Sequence, residues 1–183
     1  MSSRESSTNM SYEPSPLVER AWQLKPRCLA EVEATPMRAP PPGVNVFDDQ
    51  GFFSVACRCG SMKLRLLGYP HPEAGMLCPI DVECLGCQRR APLFDVEAHG
   101  YDAELGHGCY SMREIGQRGV FACSQCAAVT FELFVSFSYQ IDPIEDWPLE
   151  DQVRIQNLFD GFGVEARCAG CGTLSSPVSY ECA

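Results

Sequence analysis

The chain has 183 residues, of which 45% are hydrophobic and 21% are charged, and its formal net charge is −10. This length suits one ordinary domain or two small ones, and the composition is that of a globular protein. The sequence has no run of about 20 apolar residues, which excludes a membrane-spanning helix. The N-terminus lacks the apolar core of a secretory signal. We therefore expect a cytoplasmic protein that does not bind membranes.

The chain contains 12 cysteines, which is a high number for a reducing compartment. Disulfides are disfavoured there, so closely spaced cysteines more often bind metal. A disulfide framework is the alternative if the protein is secreted by a route that needs no visible signal.

The N-terminal segment, residues 1–45, is rich in serine and proline. Such a composition predicts a disordered or loosely docked tail. Residues 16–25 are an exception, because their apolar side chains recur at helical spacing and Pro16 suits a first helical turn. We expect a short helix here, which either docks on its own domain or binds a partner.

A repeat begins near Phe52. Residues 53–66 resemble residues 119–133, and residues 82–87 resemble residues 166–171. Both copies alternate apolar and polar residues after their first cysteines, which is typical of a half-buried strand. A repeat of this size indicates one supersecondary unit used twice. The predicted organisation is a tail (1–45), a first module (46–95), a connector (96–118) and a second module (119–183).

The second copy is predicted to carry an added helix near residues 148–160. Asp146 is a suitable N-cap and Pro148 suits the first turn, while Gly161 and Gly163 offer the positions at which a helix ends. An apolar stripe with i, i+3, i+4, i+7 spacing supports the helix. Its members are Ile155, Leu158, Phe159 and Phe162.

Eight cysteines form four close pairs, two in each copy. Two residues between cysteines allow a tight turn to direct both thiolates at one ion, and two such turns give tetrahedral coordination by four sulfurs. The predicted metal ligands are Cys57, Cys59, Cys84 and Cys87 in the first site and Cys123, Cys126, Cys168 and Cys171 in the second.

One of these pairs departs from the common spacing. A single residue separates Cys57 from Cys59, so either the turn is distorted or Cys78 replaces one ligand. Three further cysteines have no obvious pair and are interpreted as buried apolar residues or ordinary thiols. They are Cys28, Cys109 and Cys182.

At these cysteines the chain resembles the zinc-ribbon fold group, over residues 53–95 and 119–180. The resemblance implies a small, mainly β fold with one helix, built from two tandem zinc-ribbon-like modules. It also implies two Zn²⁺ ions as cofactors. A single iron in each four-thiolate site is the alternative, because this ligand set suits both metals.

Residues 93–108, which overlap the start of the connector, combine glycines with two histidines and several carboxylates. This composition predicts an irregular loop. Three roles remain open for the loop: simple connection, partner recognition through His99, Tyr101 and Asp102, or acid–base chemistry.

The function indicated by these features is a non-enzymatic one. A zinc ion held by four cysteines has no open coordination position and does not activate water, and the sequence has no phosphate-binding loop or nucleophile motif. Residues 120–183 carry nine acids and two bases. We expect a protein-interaction module that binds a basic partner. The sharper form of this expectation is an inhibitor of the immunity or antitoxin type that acts on a nucleic-acid-handling protein. The acidic candidates are Asp142, Glu145, Asp146, Glu150, Asp151 and Asp160.

Nucleic-acid binding is the alternative function. Residues 57–90 carry five bases and three acids, so the first module has a small basic patch that suits phosphate contacts. Phe52 or Tyr69 would stack on bases. The basic candidates are Arg58, Lys63, Arg65, Arg89 and Arg90.

Overall fold

The computed structural model describes residues 12–44, 47, 49–72, 75–99, 116–140 and 155–181. These residues form a mainly β structure with one helix of more than a single turn, as predicted. The strands are Glu33–Met37 (β1), Gln50–Ala56 (β2), Leu64–His71 (β3), Gly75–Cys84 (β4), Arg90–Phe94 (β5), Gly119–Val120 (β6), Phe131–Ser138 (β7), Gly161–Cys168 (β8) and Leu174–Glu181 (β9). The helices are Pro16–Leu24 (α1) and the four-residue Val96–His99 (α2), and Arg27–Leu29 forms a 3-10 turn. Neither described helix is long and apolar enough to cross a bilayer.

Helix α1 forms where its sequence predicts it. The Ser15 hydroxyl caps the helix by accepting a hydrogen bond from the Val18 amide at 3.3 Å, and Pro16 occupies the first turn. Its apolar stripe is buried against β2, and a Cβ at Gly51 would overlap the Trp22 indole. The close approach of α1 to the sheet therefore requires glycine at this position.

Residues 27–37 of the N-terminal segment are also packed on the sheet. Strand β1 pairs antiparallel with β2, from Glu33 opposite Ala56 to Met37 opposite Phe52. Leu29 and Val32 are fully or almost fully buried. The predicted disordered or loosely docked tail is thus not confirmed over residues 12–44, because these apolar side chains contribute to the core.

The two copies of the repeat exchange their leading strands. Strand β2, which leads into the cysteines of the first copy, pairs with β7 of the second copy. Strand β6, which leads into the cysteines of the second copy, pairs with β3 of the first copy. All nine strands consequently belong to one sheet. The division of the chain into a tail, two modules and a connector stays a prediction.

The register confirms the repeat at the level of the backbone. In the first copy Leu64 lies opposite Cys84, and in the second copy Phe131 lies opposite Cys168. These are the positions that the sequence repeat makes equivalent. The predicted alternation of β7 is also observed, with Val135 among its buried residues, except that Phe134 on the opposite face is buried as well.

Aromatic side chains join β4 and β5 to β8 and β9. The rings of Phe94 and Phe162 are stacked with their centroids 4.2 Å apart. The hydroxyl of Tyr180 donates a hydrogen bond to the Met76 carbonyl at 2.7 Å. These contacts enclose a single hydrophobic core that the two copies share.

The helix predicted near residues 148–160 is not found in the part of it that is described. Residues 155–157 form only a 3-10 turn, and residues 148–154 lie outside the described residues. Phe162 and the two glycines beside it belong to β8 instead. The helical spacing was misleading because β7 and β9 hydrogen-bond to β8 on both sides, which places Phe162 in the core from a strand.

Candidate metal centres

The first four-cysteine group, called cluster 1, lies where two turns meet. One turn follows β2 and carries Cys57 and Cys59, and the other joins β4 to β5 and carries Cys84 and Cys87. The sulfurs of Cys57 and Cys87 are 3.5 Å apart, and those of Cys59 and Cys84 are also 3.5 Å apart. All four sulfurs lie within 4.8 Å of one another.

The second group, called cluster 2, has the same construction. Cys123 and Cys126 precede β7, and Cys168 and Cys171 lie in the turn between β8 and β9. The sulfurs of Cys123 and Cys171 are 3.6 Å apart, and those of Cys126 and Cys168 are 3.5 Å apart. In each pair of both clusters the first cysteine is buried and the second is exposed, so the centres lie at the protein surface.

This geometry fits a tetrahedral metal ion. With a zinc–sulfur distance of about 2.3 Å, the sulfurs of a tetrahedral site are about 3.8 Å apart. The two sulfur–sulfur distances given above for each cluster are 3.5–3.6 Å, and the cysteines are free rather than disulfide-bonded. In the part of the chain that the structure describes, these are the two groups of three or more ligating side chains close enough to share an ion.

Backbone amides direct the turns in the same way in both copies. The Gly86 amide donates to the Cys84 sulfur at 3.3 Å, and the Gly170 amide donates to the Cys168 sulfur at 3.3 Å. Such hydrogen bonds favour a thiolate over a thiol. The Cys171 sulfur also lies 3.2 Å from Thr173 Oγ1, and hydrogen bonding from the Thr173 side chain lowers the pKa of Cys171. The sequence did not lead us to expect a role for Thr173, although its position two residues after the last ligand, Cys171, places a hydroxyl near that sulfur.

The short spacing between Cys57 and Cys59 distorts the turn without replacing a ligand. The first turn closes with a hydrogen bond from the Gly60 amide to the Cys57 carbonyl, and the longer turn closes with one from Ala127 to Cys123. The missing residue is therefore absorbed by a tighter turn. Cys78 does not substitute, because it is buried in β4 and is not part of cluster 1.

A positive φ follows the second cysteine of every pair. The φ values are 84° at Gly60, 61° at Gln88, 58° at Ala127 and 76° at Gly172. Gly60 and Gly172 adopt this conformation without strain, whereas Gln88 and Ala127 adopt it with a side chain. An L-residue in the left-handed region is destabilised by roughly 1–2 kcal/mol.

We expect Gln88→Gly to stabilise the protein by up to about 1 kcal/mol, because glycine removes this strain. Gly172→Ala is the matched reverse change and should destabilise by a similar amount, although its Cβ would meet no atom within 4 Å. Urea unfolding of the metal-loaded variants measures both effects. Equal stability of all three proteins would contradict the assignment of strain to these turns.

The thiols of a cluster influence one another strongly. Burial raises the pKa of Cys84, but hydrogen bonds from the Cys87 amide and the Cys59 thiol contribute to a net lowering to about 6. The Cys59 amide lowers the pKa of Cys57, whereas burial and the neighbouring thiols, Cys87 first among them, raise it to about 12. Without a cation Cys57 and Cys84 thus do not ionise together, and a divalent ion bound between them would hold both as thiolates.

The unpaired cysteines lie apart from the clusters or outside the described residues. Cys28 is 2% exposed and packs in the core. Burial raises its pKa to about 12, so its thiol stays protonated at neutral pH. Cys28 is therefore a buried apolar residue, as one interpretation of the sequence predicts. Cys109 and Cys182 lie outside the described residues.

His99 is half-buried at the end of α2. Its Nδ1 accepts a hydrogen bond from the Asp95 amide at 3.0 Å, and its carbonyl accepts one from the Arg27 guanidinium. The carboxylate of Asp95 caps α2 through the amides of Glu97 and Ala98. These contacts give His99 a structural role. Tyr101, Asp102 and His107, which belong to the same predicted loop, lie outside the described residues.

The environment of His99 leads to a pH prediction. Burial lowers its pKa, the Asp95 carboxylate raises it and Arg27 lowers it, with a net lowering. The unfolded chain therefore takes up the proton first, so this contribution to stability is present above the unfolded pKa of about 6.5 and is lost as the pH falls through it. We expect His99→Gln to show a smaller loss of stability between pH about 7.5 and about 5.5 than the parent protein, measured by urea unfolding. Identical acid dependence of the two proteins would contradict this role.

The predicted basic patch is largely occupied by ion pairs. Glu31 lies 2.6 Å from Arg89 and 3.8 Å from Arg58. Two further arginines pair with acids on β4, Arg65 with Glu83 at 3.0 Å and Arg90 with Asp81 at 2.6 Å. The two aromatic residues proposed to stack on bases, Phe52 and Tyr69, are 1% and 8% exposed. That stacking role is therefore wrong, because the sheet buries both rings.

The acidic candidates lie mostly outside the described residues. Asp160 is described and is partly buried after the 3-10 turn, with its amide donating to the Ser138 carbonyl at 2.9 Å. The other candidates, Asp142, Glu145, Asp146, Glu150 and Asp151, are not described. Their role in partner binding stays a prediction.

Comparisons with protein-family models, with curated proteins and with solved structures find no match for the chain. The structure itself defines the class as a mainly β protein with two four-cysteine clusters that are compatible with metal binding. The clusters come from the two copies of an internal repeat.

Proposed function

We propose that this protein is a zinc-binding, non-catalytic interaction module built from two zinc-ribbon-like units. The observation that supports this most directly is the set of four converging thiols in each cluster. Four thiolates complete the coordination of a tetrahedral ion, so no position remains for water or substrate. The metal then stabilises the fold, and the surface is left to bind a partner.

Zinc is the metal that this proposal assigns to both clusters. Four thiolates in a tetrahedron suit zinc, and they also suit a single iron. Elemental analysis of the protein purified from its native cell decides between them. We expect two zinc ions per chain, and stoichiometric iron with a red colour would overturn the assignment.

The partner is proposed to be a basic protein. The turns of cluster 2, residues 123–130 and 168–173, contain no lysine or arginine. The equivalent turns of cluster 1, residues 57–63 and 84–89, contain three bases. A divalent ion with four thiolates has a net charge of −2, and the exposed Cys126 and Cys171 place this charge at the surface. Together with the acids of the second copy, it favours association with a positively charged surface.

The sharper form of the proposal is an inhibitor of the immunity or antitoxin type. In this form the acidic surface occupies the basic groove of a nucleic-acid-handling protein in place of phosphate. Pull-down from the native cell at low and high salt tests it, and we expect a basic protein to be enriched at low salt only. The inhibitor form fails if no basic partner is enriched.

Charge variants make this test specific. A triple variant, Asp142→Asn, Glu145→Gln and Asp146→Asn, should weaken capture of the partner. A control variant with the same change in net charge, Glu13→Gln, Glu19→Gln and Glu33→Gln, should bind as the parent does. Equal loss in both variants would indicate a non-specific charge effect.

Titration with DNA and RNA tests the alternative function. The ion pairs of the basic patch and the burial of Phe52 and Tyr69 do not favour nucleic-acid binding. We expect no measurable affinity at about 0.15 M salt, because phosphate contacts weaken steeply with ionic strength. Micromolar affinity under these conditions would replace the protein-interaction proposal.

A further inference from the structure

A single row of residues connects the two clusters across the sheet. Cys84 on β4 lies opposite Leu64 on β3, Leu64 lies opposite Phe131 on β7, and Phe131 lies opposite Cys168 on β8. Neighbouring strands are about 4.8 Å apart, so the two cysteines at the ends of this row are roughly 15 Å apart. Both central side chains, Leu64 and Phe131, are fully buried.

The strand exchange makes each copy depend on the other. Strand β2 ends one residue before Cys57, yet it pairs with β7 from Gln50 opposite Ser138 to Val55 opposite Leu133. In the reverse direction, β6 pairs with β3, and the Phe121 amide, two residues before Cys123, donates to the Leu66 carbonyl at 2.9 Å. The approach to each cluster is thus held by the copy that contains the other cluster.

The inner cysteines also share one core. The exposed fractions of the first cysteine in each pair range from 1% to 7%, and all four side chains belong to the same cluster of buried residues. They are Cys57, Cys84, Cys123 and Cys168. The ring of Phe121, on the approach to cluster 2, lies 5.1 Å from the ring of Phe131, which is in register with Leu64 of the first copy. Disorder at one cluster would therefore remove packing from the other.

We propose that the two clusters form one cooperative metal-binding unit, in which an ion bound at either cluster orders the other and raises its affinity. Metal binding to cysteine turns is coupled to folding, because the unfolded chain has no preformed site. Here the first ion orders β3 and β7, which are the strands that hold the approach to the opposite cluster. The inference depends on metal binding and not on the identity of the partner.

Titration of the metal-free, reduced full-length chain with Zn²⁺ tests the coupling. Native mass spectrometry counts the chains that carry no ion, one ion or two ions at half-saturation. Independent, equal sites would place about half of the chains in the one-ion state. We expect the one-ion state to be a small minority. A one-ion population at the statistical level, or a chain that binds no zinc, would overturn the proposal.

A variant that lacks one cysteine ligand can fail to fold, so a variant that replaces the cysteine with a weaker ligand is used to test the coupling. Cys171→His retains a zinc ligand at an exposed position of cluster 2 while weakening that centre. Cobalt is the probe, because centres with four sulfurs and centres with three sulfurs and one nitrogen differ in their visible spectra. We expect the affinity of the unaltered cluster 1 to fall by about tenfold.

The reciprocal variant is the matched control. Cys87→His weakens cluster 1, and linkage requires that the affinity of cluster 2 fall by the same factor. Unchanged affinity at the unaltered cluster in both variants would refute the cooperative unit. This result would leave the interaction proposal intact, because pull-down of a basic partner is measured with the fully loaded protein.

Discussion

Removal of the bound metal is expected to abolish the cooperative unfolding transition of the protein. Structural zinc in small cysteine sites contributes on the order of 10–16 kcal/mol, and that binding energy becomes folding energy. The whole free energy of unfolding of a typical domain is about 5–15 kcal/mol. The stability lost with the ions is therefore greater than the remaining contacts can offset. Thermal melting followed by circular dichroism, with and without a strong chelator, measures the effect. Readdition of zinc should restore the transition.

The corresponding single substitution is Cys126→Ser. This change removes one of the four sulfurs of cluster 2, and we expect the second copy to be poorly folded at room temperature. Ser124→Ala, in the same exposed turn, is the matched control because Ser124 is not part of the cluster. Thermal melting of Cys126→Ser that matches the parent and the control would reject a structural role for cluster 2.

Truncation of Phe162 is the second change with a large expected effect. Its ring stacks on the ring of Phe94, with the centroids 4.2 Å apart, and its centroid lies 5.5 Å from that of Phe137. The Phe162 side chain is 2% exposed. Phe162→Ala should destabilise the protein by about 3–5 kcal/mol, because it leaves a cavity among rings that join β5, β7 and β8. Urea unfolding of the zinc-loaded protein gives the free energy of unfolding.

Phe47 provides the control for this prediction. Its side chain is 65% exposed, so Phe47→Ala removes little buried surface and should change stability by less than about 0.5 kcal/mol. If Phe162→Ala proved as mild as Phe47→Ala, the aromatic cluster would not hold these strands together.

The elements that sequence reasoning predicted well are those with a local signal. The Ser15 cap, Pro16 and an apolar stripe define α1 within a few residues. Cysteine spacing identified the two groups that the structure brings together. Alternation of polar and apolar residues identified β7, because successive side chains of a strand point to opposite faces.

The predicted helix near residues 148–160 had an ambiguous signal at its C-terminal end, which is the only part of it that the structure describes. Ile155, Phe159 and Phe162 fit one face of a helix, yet Phe162 reaches the core from β8. The spacing of so few residues does not distinguish the helical period of 3.6 residues from the strand period of two when glycines flank Phe162. The left-handed conformation of Gln88 and Ala127 was also overlooked, although both occupy the position that Gly60 and Gly172 hold in the other turns.

By itself, the sequence determined the duplicated unit, the eight cysteines that converge and the faces that the strands bury. Only the tertiary structure decided that β2 pairs with β7 and that β6 pairs with β3, so that the two copies form one sheet. The physical reason is that side-chain patterns select the face that a strand buries. The hydrogen bonds that pair two strands are made by backbone amides and carbonyls, which are the same in every residue except proline. The side-chain pattern therefore does not show which strand pairs with which.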